Sequence, residues 1–78
     1  APFEGMYDFG DGIQIVIGLE EAVNQLSITF PNGDRYALVP TGTHSFVNQE
    51  TGVTVDFDGP DDRRQVIVYG DTGIRVGN

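Results

Sequence analysis

The stretch Leu26-Ser27-Ile28-Thr29-Phe30-Pro31-Asn32-Gly33-Asp34-Arg35-Tyr36-Ala37-Leu38 decides the fold class. Leu26, Ile28 and Phe30 alternate with Ser27 and Thr29. Period-two alternation gives an extended segment one apolar face and one polar face. Pro31-Asn32-Gly33-Asp34 then supplies the chemistry of a tight hairpin, because Asn and Gly tolerate the positive φ angles it needs. Tyr36 and Leu38 resume the alternation on the far side. The unit is a β-hairpin, and the pattern repeats outward in both directions.

Toward the N-terminus, Ile13, Ile15 and Ile17 alternate with Gln14, Val16 and Gly18. Toward the C-terminus, Val53, Val55 and Phe57 alternate with Thr54 and Asp56. Gly10-Asp11-Gly12, Thr41-Gly42, Glu50-Thr51-Gly52, Gly59-Pro60-Asp61-Asp62 and Gly70-Asp71-Thr72-Gly73 separate the runs. The pattern predicts eight strands at 4–9, 13–19, 25–30, 35–39, 44–48, 53–58, 63–69 and 74–76. Strands this short and this regular indicate an all-β barrel or sandwich. Leu19 to Gln25 is under two helical turns and reads as a turn. With only short connections, sequential strands should pair as an antiparallel meander. Closing eight strands removes both sheet edges and leaves an interior that side chains nearly fill. The expectation is a single domain over 1–78, a small antiparallel up-and-down β-barrel. Ile13, Ile15, Ile17, Leu26, Ile28, Phe30, Leu38, Phe46, Val55 and Phe57 are expected inside.

A 78-residue chain buries only about 60% of the surface its unfolded form exposes. No run approaches the roughly 20 apolar residues of a membrane-spanning helix. A start at Ala1 reads as a processed chain or a piece of a longer one. Twelve acidic residues face four arginines and no lysine, for a net charge of −8. That balance argues against nucleic acid and against an anionic membrane surface. Zero cysteine removes disulfides, thiolate nucleophiles and Cys-type zinc sites. It leaves the compartment open, with a bacterial periplasmic or secreted location favoured.

The search for chemistry finds little. The only serines are Ser27 and Ser45, neither in Gly-x-Ser-x-Gly nor beginning Ser-x-x-Lys. His44 precedes Ser45, and neighbours on a strand point to opposite faces, so a Ser–His pair is not expected. Asp56, Asp58, Asp61 and Asp62 weakly resemble a calcium loop. Gly59 is at the wrong offset, however, and Ile67 stands where a closing Glu should be. A solvated face with ion pairs to Arg63 and Arg64 is expected instead. Gly10-Asp11-Gly12 lacks the Lys and following helix of a phosphate loop. No catalytic, cofactor or metal residue is assigned, and the isolated chain is expected not to be an enzyme.

Several stretches carry a resemblance to a known family. They are Gly5-Met6-Tyr7, the Leu26 strand, Tyr36-Ala37-Leu38-Val39-Pro40-Thr41-Gly42 followed by Phe46, Val55-Asp56-Phe57, and Gln65 to Tyr69. The chain resembles the lipocalin-like C-terminal β-domain that follows the catalytic domain in class C β-lactamase-related, penicillin-binding-protein-like serine hydrolases. Gly59-Pro60-Asp61-Asp62 departs from the plainer hairpin usual there. The resemblance implies a non-catalytic accessory domain that packs on a catalytic domain and shapes substrate access. An independent lipocalin-like module for a small apolar ligand is the alternative. Val16, Val39, Val47, Ile67 and Tyr69 are apolar on the alternate face. They are expected to meet a catalytic domain or a second copy.

Overall fold

The computed structural model describes residues 3–77. Eight strands follow one another as β1 (Gly5–Asp8), β2 (Gln14–Glu20), β3 (Gln25–Thr29), β4 (Arg35–Pro40), β5 (Ser45–Val47), β6 (Thr54–Asp58), β7 (Gln65–Val68) and β8 (Asp71–Gly77). Each pairs antiparallel with the next, and β1 pairs with β8, so the sheet closes into an up-and-down barrel. The expected architecture is the observed one.

The hairpin that decided the fold class forms as its residues require. Gly33 adopts φ 93°, the Phe30 amide donates to the Asp34 carbonyl at 2.8 Å, and the Gly33 amide donates to Phe30 at 2.9 Å. Register then places Leu26 opposite Leu38 and Ile28 opposite Tyr36, all on the inner face. Tyr7, Ile17, Ile28, Leu38, Val55 and Val66 form a fully buried belt around the middle. Phe3 closes one end. It stacks on Phe57 at 4.4 Å between ring centroids and meets Phe46 edge-on at 5.7 Å. The Tyr7 hydroxyl donates to the Phe3 carbonyl at 2.8 Å. This end also carries the β2–β3, β4–β5 and β6–β7 connections and is called the lower end. The other four connections lie at the upper end.

Four expectations change. Ile13 is 48% exposed, because it still belongs to the turn. Its amide bonds Gly10 and its carbonyl accepts from Phe9, so period-two parity has not yet begun. Phe30 and Phe46 are only half-buried, packed against the core from the barrel mouths. The run expected at 63–69 starts at Gln65, since Asp61–Arg63 make a 3-10 turn, and ends at Val68. The last strand starts three residues earlier than expected, at Asp71 rather than 74, so Tyr69 and Gly70 form a two-residue turn.

Gly5 shows why closure needs a missing side chain. It sits at φ 147°, and a Cβ there would lie 2.6 Å from the Gly77 carbonyl oxygen. Gly5→Ala should therefore destabilise by about 1–3 kcal/mol through strain at the β1–β8 seam, measured by urea unfolding. Phe57→Ala removes the ring that Phe3 stacks on and should cost about 3–5 kcal/mol. A core this small supplies a similar net stability, so the variant should show no cooperative thermal transition.

Candidate functional site

The structure keeps the candidate catalytic side chains apart. Ser45 faces outward on β5, and its Oγ donates to Asp56 Oδ1 on β6 at 2.6 Å. His44 turns toward the lower mouth, edge-on to Phe3 at 5.7 Å. Ser27 lies on the outer face of β3 between Gly18 and Ala37. An ion pair from Glu20 on β2 to Arg35 on β4, at 3.8 Å, spans the same face. No serine is brought to a histidine in a way that would activate it.

The acidic segment also differs from expectation. Asp56 is held by Ser45, and Asp58 Oδ1 accepts from the Gly59 amide at 2.8 Å. Neither pairs across the turn with Arg63 or Arg64. Arg63 approaches Asp62 at 4.0 Å, both exposed. Arg64 instead turns inward. Its side chain is 8% exposed, it pairs with Asp61, and its guanidinium lies 5.1 Å from the Phe3 ring centroid. The cause is local: the 3-10 turn at Asp61–Arg63 ends in extended Arg64, which reverses which side faces the barrel. Among the described residues, no group of three or more His, Asp or Glu could hold a metal ion.

A buried polar cluster at the lower end was not legible beforehand. Arg75 faces the interior opposite Tyr7 and donates to the backbone carbonyls of Glu4, at 3.3 Å, and of Asp61. The Arg75 amide donates to the Arg64 carbonyl at 3.0 Å. Two guanidinium groups, one phenol and the Phe3 ring thus tie the chain entry to the β6–β7 connection. The only advance signal was the aromatic at Tyr7 and the break in alternation at Arg75. Both side chains have structural partners, and the cluster serves as a seal.

Burial pushes the Tyr7 phenol above its ordinary 10.0, while the Arg75 and Arg64 charges pull it partly back. The unfolded chain therefore ionises first as pH rises. Tyr7 contributes stability that is intact below about pH 10 and is lost as pH climbs through the raised folded value. Tyr7→Phe should flatten that alkaline fall in unfolding free energy, read by urea titration from pH 8 to 11. An unchanged slope would show that Tyr7 is not its source.

The belt leaves the barrel filled in the middle and open at its mouths. The lower mouth holds a cavity of about 560 Å³ between Leu19, Val23, Leu26, Leu38 and Phe46. The upper mouth holds one of about 370 Å³. On the outside, Met6 of β1 stands opposite Val16 of β2, with Ile74 and Val76 on adjoining β8. All four are exposed. The expected alternate-face set does not form one patch: Val39 and Val47 face each other on β4 and β5, half-buried, while Tyr69 sits in the β7–β8 turn. Of that set only Val16 belongs to the strip across β8, β1 and β2. No family model, curated protein or solved structure matches the chain.

Proposed function

We propose that this barrel is a non-catalytic accessory domain of a β-lactamase-related serine hydrolase, docking on the catalytic domain and shaping access to its substrate site. The observation that carries the reading is the outer strip of Met6, Val16, Ile74 and Val76, apolar and exposed across three adjacent strands. A freely solvated barrel has no use for such a strip, and exposed apolar patches mark interaction surfaces. The net charge of −8 opposes pairing two copies of the chain, which favours a different partner. The filled belt supports a packing role over ligand storage in the barrel centre. Strands of three to seven residues are also shorter than the roughly nine to eleven a membrane-spanning strand needs. The family resemblance of the Tyr36–Gly42 and Val55–Phe57 stretches supplies the identity of the partner.

The second reading, a free-standing module for a small apolar ligand, draws on the apolar lower cavity. The two part on what precedes Ala1. The accessory-domain reading expects a catalytic domain with Ser-x-x-Lys and Tyr-x-Asn encoded there. In that longer protein Met6→Asp with Val16→Asp should lower hydrolase kcat/KM about tenfold, the effect of losing roughly 1.4 kcal/mol of productive docking. The isolated barrel should turn over no ester, β-lactam or peptide. Turnover by the barrel that Ser27→Ala or Ser45→Ala abolishes would overturn the reading, as would a preceding region without that domain.

A further inference from the structure

We propose that the upper mouth of the barrel is a binding site for a small organic cation with an apolar body, of the arylalkylammonium class. The site lies away from the docking strip and does not depend on it. Its cavity of about 370 Å³ is lined by Phe9, Phe30, Tyr69 and Ile13 together with Asp11 and Asp71. That volume is within the range of small-molecule sites, which combine apolar walls with a few polar groups.

Three features select the ligand chemistry. First, among the described residues the only charged side chains on the cavity wall are the two carboxylates. All four arginines are placed elsewhere: Arg63, Arg64 and Arg75 at the lower end, Arg35 toward Glu20. Second, the wall offers three aromatic rings, whose faces attract cations as well as apolar groups. The lower cavity is more apolar and, among the described residues, has no charged side chain on its wall, so the two mouths differ in what they would take. Third, Tyr69 is 73% exposed and sits at φ 54°, followed by Gly70 at φ 79°. This two-residue turn with both φ positive favours Asn, Asp or Gly at its first position. An aromatic held there against local preference, with its ring at a cavity lip, is the kind of mismatch that marks a functional position.

Titration calorimetry on the whole chain, with benzyltrimethylammonium as the probe, tests the proposal. Saturable one-site binding is expected, in the range of about 0.1 to 1 mM for so small a ligand. The neutral benzyl alcohol and the anionic phenylacetate should bind at least about tenfold more weakly. Tyr69→Asn should weaken the cation about threefold or more while raising the unfolding midpoint, since Asn suits the turn. Loss of binding then cannot come from loss of fold. Tyr69→Phe should bind as the parent does. Asp11→Asn with Asp71→Asn should weaken binding. Glu21→Gln with Asp62→Asn, which removes the same charge at the lower end, should not. Equal loss in both double variants would reduce the effect to net charge and overturn the site. So would equal affinity for benzyl alcohol, or no saturation by about 10 mM, beyond the weak millimolar end of the scale. A capped lysine peptide presents the same chemistry on a protein. Tighter binding of the peptide than of benzyltrimethylammonium would overturn the small-molecule assignment.

Discussion

The β1–β8 ladder is the constraint on which the rest of the molecule depends. It brings Glu4 within hydrogen-bond reach of Arg75, 71 positions along the chain. Every other strand pair is a local hairpin between consecutive strands. A meander of seven hairpins without this seam would leave two unpaired edges and an open apolar face. Closing it asks for two local devices. Gly5 lets the backbones approach where a Cβ would strike the Gly77 carbonyl. The register shift between Met6 and Tyr7 lets β8 absorb an extra residue. That bulge leaves Arg75 pointing inward opposite Tyr7 and Val76 on the outer face, so closure creates both the buried cluster and part of the outer strip.

Once closed, so small a barrel has no room at its waist. Six fully buried side chains occupy the belt, and free volume survives only where strands diverge at the mouths. The lower mouth is partly stoppered by Phe3, with Phe57 stacked on its ring and the Arg64 guanidinium near it. A guanidinium is well suited to that place, because it is weakly hydrated and stacks on aromatic rings. Its charge is met by Asp61, whose own side chain is in solvent. Three of the four arginines, Arg63, Arg64 and Arg75, thus gather at the lower end in structural roles, while Arg35, at the start of β4, reaches along the outer face to Glu20.

The fold was legible because it rests on local rules. Alternation at Leu26–Phe30 and Val53–Phe57, and turn residues at Pro31–Asp34, predict strands and their inward faces without reference to distant parts of the chain. Where those rules met a boundary they failed in instructive ways. Ile13 has the right spacing but lies before the ladder begins, and Phe30 lies just past its end. Arg64 reads as a surface charge, yet the 3-10 turn before it reverses its side. The site was less legible, because cavity walls are assembled from residues far apart. Phe9, Phe30 and Tyr69 share no spacing that would mark them as neighbours.

The amino-acid sequence by itself determined the strand count, the antiparallel order, most of the core and the excess negative charge, since each follows from neighbouring residues or from composition. Tertiary structure alone decided three things: which arginines turn inward, which outward apolar residues adjoin, and where free volume remains. Those depend on the register at the β1–β8 seam, where a single extra residue on β8 sets which side chains face in. Register across that seam is a property of contacts about 70 positions apart, and no periodicity within a strand encodes it.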